Sequence, residues 1–69
     1  MATDVLRDFQ ARLDKALTGL DVPEKRKKLS LTNLQWLSRN LPINNSGADI
    51  KIAHRTIVDL LRNRKQAGL

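Results

Sequence analysis

Apolar residues recur along the start of the chain at steps of three and four: Val5, Leu6, Phe9, Leu13, Ala16, Leu17 and Leu20. On a helix this spacing gathers them into one stripe and leaves the polar residues on the other side. Thr3 stands where it could cap the helix start, with Asp4 against the positive end of the dipole. Asp8 precedes Arg12 by four residues, the order that favours a surface ion pair. Gly19 suits the C-terminal end, because it takes positive φ without a Cβ clash. The pattern predicts a first helix over about residues 3–18.

A second start is signalled by Asp21-Val22-Pro23-Glu24. Asp21 can cap, Pro23 suits a first turn where its missing N–H costs nothing, and Glu24 can reach back. Leu34, Leu37 and Leu41 then form an apolar stripe, with Leu29 and Leu31 leading into it. Ser30 and Thr32 are weak helix formers, and Thr32-Asn33-Leu34-Gln35 is itself a capping-box pattern. A continuous or kinked helix over about residues 22–41 is the preferred expectation, with a split near Ser30–Thr32 as the alternative. Pro42 should end it by pushing Leu41 out of helical geometry.

Ile43-Asn44-Asn45-Ser46-Gly47 reads as a connection, and Ser46-Gly47-Ala48-Asp49 as a further capping box. Ile50, Ala53, Ile57, Leu60 and Leu61 make the inner stripe of a third helix, expected over about residues 47–65. At ~100° per residue, Lys51, Arg55, Arg62 and Gln66 fall within about 60° of one another on the opposite face. Gly68 and Leu69 are expected to fray. No strand alternation, internal repeat or low-complexity tract is present, so the expected fold is all-α, a small three-helix bundle.

Sixty-nine residues leave room for one core, which places residues 1–69 in a single domain. Charge is unevenly spread. Residues 1–20 are neutral, residues 21–45 and 46–69 each carry an excess of three positive charges, and the net is +6. There is no cysteine, hence no disulfide framework or thiolate metal site. No apolar run approaches the ~20 residues needed to cross a bilayer, so no membrane role is expected. The first residues carry acids where a signal peptide would have a basic leader, and a cytoplasmic location is the expectation. On that basis the Asn44-Asn45-Ser46 sequon is read as chance.

Catalytic chemistry has little to draw on. His54 is the single histidine, and Gly19, Gly47 and Gly68 are isolated rather than part of a phosphate-binding loop. His54 has no partners at metal-ligand spacing and reads as a helical surface histidine. The expectation is a protein that is not an enzyme and has no cofactor and no metal.

Two basic groups stand out instead. Lys25, Arg26, Lys27 and Lys28 are consecutive, and Glu24 can offset only one of them. Lys51, Arg55, Arg62 and Lys65 form the second group, with Lys51 and Arg55 a like-charge pair four residues apart. Asp59 shares that face and is expected to reach Arg55 and Arg62. A plain solvated surface is the bland reading. The sharper one is phosphate binding to nucleic acid, DNA ahead of RNA, by a small regulator or accessory protein. Phe9 and Trp36 alone make no stacking platform for single-stranded bases. The alternative is docking on an acidic surface of a larger protein such as a polymerase, nuclease or assembly factor, with Trp36 and Ile43 as anchors. Against that, Trp36 can also simply cover the edge of the core. Helix 1, neutral and strongly amphipathic, could also support a homodimer. A helix-turn-helix over Thr32–Leu41 and Ser46–Lys65 fits weakly, since its link is long and Asp49 would face phosphates.

Overall fold

The computed structural model describes the backbone of residues 2–41 and 47–69, and the side chains of residues 4–41 and 49–69. Its elements are α1 (Ala2–Leu17), a first 3-10 turn (Glu24–Arg26), α2 (Leu31–Asn40), α3 (Gly47–Arg62) and a second 3-10 turn (Arg64–Ala67). Among the described residues there is no strand. The fold is therefore a small all-α one with three helices, as the periodicity predicts.

The core is built from the expected stripes. Phe9, Leu13 and Leu17 of α1 meet Leu34 and Leu37 of α2 and Ala53, Ile57 and Leu60 of α3. Val5, Ala16, Ile50 and Leu61 are partly buried at its edges. Leu6 departs from the pattern: it sits on the rim of the α1 stripe and is 38% exposed. No charged or polar residue is buried among the described residues.

The ends of α1 divide. Gly19 takes φ +83°, and the Leu20 N–H donates to the Leu17 carbonyl at 3.0 Å, so the glycine stop holds. At the other end the helix runs from Ala2, and the side chain of Thr3, the expected cap, lies outside the described ones.

A single helix over residues 22–41 does not form: Glu24–Arg26 make only a 3-10 turn, residues 27–30 are not helical, and the approach to that turn is shaped by Leu20 and Val22. Both are buried, and a tight turn joins the Val22 N–H to the Leu20 carbonyl at 3.0 Å. Residues two apart share a face only in extended chain, so burying this pair draws the backbone away from helical geometry. Pro23 follows at φ −56°, ψ 138°, extended rather than in a first helical turn, and Asp21 caps nothing. The helix restarts only where Ser30, at φ −162°, ψ 158°, accepts the Asn33 N–H on its hydroxyl at 3.1 Å. That cap lies two residues before the Thr32 box read from the sequence. At the other end Leu41 has ψ 142°, the extended geometry expected of a residue before proline. Pro42, Ile43 and the proposed Ser46 cap lie outside the described residues.

Helix 3 stops sooner than expected. It ends at Arg62, and Lys65 and Gln66 belong to the second 3-10 turn. Fraying is absent at the C-terminus. Gly68 sits at φ +75°, its N–H reaches the Lys65 carbonyl at 3.1 Å, and the Leu69 N–H reaches the Arg64 carbonyl at 3.0 Å. This closes the turn as a helix C-cap does. The turn packs on α1, burying Ala67, with Leu69 partly buried beside it.

Candidate nucleic-acid interface

The first basic group is held by two amides. Asn33, in the first turn of α2, donates its Nδ2 to the carbonyls of Lys25 at 3.0 Å and Lys28 at 2.7 Å. Gln10 of α1 donates Nε2 to the Lys27 carbonyl at 3.2 Å and accepts the Leu29 N–H at 2.9 Å. The backbone is thereby wrapped around Asn33 and pinned to α1, which sends the four side chains to different fates. Arg26 lies with its guanidinium carbon 4.8 Å from the centre of the Trp36 ring, and its Nη1 reaches Asn33 Oδ1 at 3.4 Å. Its Nε is buried without a hydrogen-bond partner. Lys27 pairs with Glu24 at 3.3 Å. Lys25 and Lys28 are exposed and, among the described residues, make no ion pair. The run of four thus presents two unengaged cations.

Trp36 is partly buried against the core and covered on one face by Arg26. That geometry is a cation–π contact and matches the structural reading of the residue. Ile43, the other suggested anchor, lies outside the described residues.

The second group is arranged differently. Lys51, Arg55 and Arg62 are all exposed on α3, opposite the buried Ala53, Ile57 and Leu60. They run along about 17 Å of helix axis at ~1.5 Å per residue. Lys65 is also exposed, and it lies beyond the end of α3, in the second 3-10 turn. His54 is exposed on the flank of the face.

Asp59 does not do what its place on the helix suggests. Its Oδ2 accepts from Arg12 Nη2 of α1 at 2.7 Å, across 47 positions of sequence. Asn63 Nδ2 stands 3.5 Å from its other oxygen. Arg12 is also 5.7 Å from the Phe9 ring centre, and its acid is Asp59 rather than the expected Asp8. The outer face of α3 keeps its cations because its one acid is drawn sideways to a different helix.

The two basic groups do not merge around α1. Gln10 and Arg12, two residues apart, project about 200° from each other at ~100° per residue. The 25–28 segment docks on the Gln10 flank and α3 on the Arg12 flank, with neutral α1 between them. The roles of Gln10, Asn33 and Arg12 carry no local sequence signal, since each depends on partners brought in from another element.

Among the described residues, no group of three or more acidic or histidine side chains could hold a metal ion. No helix there is long and apolar enough to cross a membrane. The chain matches no known family model, no curated protein and no solved structure.

Proposed function

We propose that this protein is a non-enzymatic regulator or accessory protein that binds nucleic acid, duplex DNA ahead of RNA, through phosphates met by the outer face of α3. The observation that carries this reading is the engagement of Asp59 by Arg12, which leaves Lys51, Arg55 and Arg62 exposed and unneutralised on one line. A column of cations left without counter-charge destabilises the free helix slightly and is relieved by an external polyanion. Lys65, Lys25 and Lys28 are exposed supplementary contacts. Arg26 is taken up by Trp36, and Lys27 is offset by a solvent-exposed pair with Glu24. Phosphate contacts dominate this reading because Asp49, near the start of α3, disfavours insertion of that end toward a duplex.

The test is a titration of a labelled random-sequence duplex at several salt concentrations. Binding should be at least in the ~10⁻⁴–10⁻⁶ M range at physiological salt. Arg55→Ala should lower the slope of log K against log salt by about one, whereas Arg26→Ala should leave it unchanged. Absence of binding by the parent protein at about 50 mM salt would refute the reading. Capture of a partner protein that survives nuclease treatment would then favour docking on an acidic surface. That alternative stands second because Arg26 already covers one face of its proposed anchor, Trp36.

A further inference from the structure

We infer that Arg12 is a positioning residue for the α3 face: it meets no ligand itself but holds Asp59 away from Arg55 and Arg62, so that both remain available to phosphates. The inference rests on the nucleic-acid reading above and adds how the site is kept competent.

Asp59 lies four residues after Arg55 and three before Arg62, and both spacings place side chains side by side on a helix. Left alone, its carboxylate would pair with one of them and remove a cation from the line. Arg12 approaches from α1, outside that line, and takes Oδ2 at 2.7 Å, while Asn63 Nδ2 flanks Oδ1 at 3.5 Å. Both oxygens are thus turned toward groups other than the face arginines. Arg12 holds Oδ2 through one charge-assisted bond from Nη2, and its guanidinium also rests near the Phe9 ring, 5.7 Å from its centre. Lys15 lies one turn from Arg12 and faces the start of α3 near Asp49 rather than Asp59, and neither it, Arg7 nor the acids Asp4, Asp8 and Asp14 make an ion pair with α3 among the described residues.

The consequence is an epistatic pattern that a direct phosphate contact by Arg12 would not produce. Losing one phosphate contact costs about eightfold in affinity at about 0.1 M salt, taking 1 M as the reference at which counterion release contributes nothing. Arg12→Ala frees Asp59 to consume such a contact, so affinity for the random-sequence duplex should fall by about three- to eightfold and the salt slope should flatten. Asp59→Asn should bind at least as tightly as the parent. The double variant Arg12→Ala/Asp59→Asn should bind like Asp59→Asn alone, and Arg12→Lys should recover most of the lost affinity. A drop of equal size for Arg12→Ala in the Asp59→Asn background would overturn the inference, because Arg12 would then be touching phosphate. An unchanged Arg12→Ala affinity would overturn it as well.

A second measurement needs no nucleic acid. The side-chain Nε–H signals of Arg55 or Arg62 in ¹⁵N NMR spectra should move in Arg12→Ala and return in the double variant. If they move while the parent fails to bind duplex, the positioning stands and the nucleic-acid reading falls. If the parent binds and the signals stay in place, the positioning falls. Should Arg12→Ala not fold, Arg12→Met keeps an aliphatic stem beside Phe9 but cannot pair with Asp59, and its comparison with Asp59→Asn and Arg12→Met/Asp59→Asn carries the same test.

Discussion

Replacing Gln10 by alanine tests the account of how the 25–28 segment is held, because two views of this residue predict opposite signs. If Gln10 were an ordinary polar residue on the solvent side of α1, Gln10→Ala would be neutral or slightly stabilising, since alanine gains about 0.3 kcal/mol in helix propensity. The structure instead gives its side-chain amide two bonds to another segment, to the Lys27 carbonyl at 3.2 Å and from the Leu29 N–H at 2.9 Å. A further bond runs to Asp14 Oδ1 at 2.8 Å on the exposed surface, where water replaces it readily. Two cross-element bonds at ~0.5–1.5 kcal/mol each amount to about 1–3 kcal/mol. The Lys27 bond is long, and both groups are only partly buried, which favours the lower half of that range. After the propensity gain is subtracted, the expected cost is about 0.7–1.7 kcal/mol. For a domain of this size that corresponds to a fall in Tm of roughly 3–14 °C. Thermal denaturation followed by circular dichroism, with urea unfolding as a second measure, reads it directly. Gln10→Glu refines the test, for a carboxylate can still accept from Leu29 but cannot donate to Lys27 and repels Asp14. It should therefore still be less stable than the parent, with one of the two cross-element bonds kept. An unchanged or raised Tm for Gln10→Ala would refute the claim that this amide holds the segment.

Three other outcomes follow from the fold. Leu13→Ala and Ile57→Ala, at positions with 0% exposure, should each cost roughly 2–5 kcal/mol in urea unfolding; a neutral result at either would put the wrong helix face in the core. Ser30→Ala should cost about 0.5–2 kcal/mol while Thr32→Ala costs far less, and the reverse order would move the start of α2. Arg26→Ala should uncover Trp36, shifting its fluorescence to the red at a cost of about 0.5–1 kcal/mol; an unshifted spectrum would show that the guanidinium does not lie on the ring in solution.

Much of the core was legible because it follows from periodicity. Phe9, Leu13, Leu17, Leu34, Leu37, Ala53, Ile57 and Leu60 are buried where three- and four-residue spacing places them. Gly19 was legible as a stop for the same local reason, a backbone conformation that only glycine adopts cheaply. The errors share a cause too. Pro23-Glu24 is a valid helix start by local rules, yet the burial of Leu20 and Val22 takes the chain into extended geometry first. Gly68 and Leu69 look like a loose end, yet packing of the second 3-10 turn on α1 secures them.

The basic groups divide along the same line. Helicity, the neutrality of α1 and the gathering of positive charge in the remainder can be read along the chain, since propensity, spacing and charge are properties of neighbours. Which cations remain exposed and unengaged follows from how the elements pack. Arg26 is taken up by Trp36, while Lys51, Arg55 and Arg62 stay exposed on α3; the Lys27–Glu24 pair, three residues apart, is local. Whether Asp59 neutralises its own helix or is drawn to Arg12 depends on α1 and α3 packing side by side. Coulomb attraction and hydrogen bonding act through space over a few ångströms. A partner 47 positions away therefore competes on equal terms with one four positions away once the fold brings it within reach.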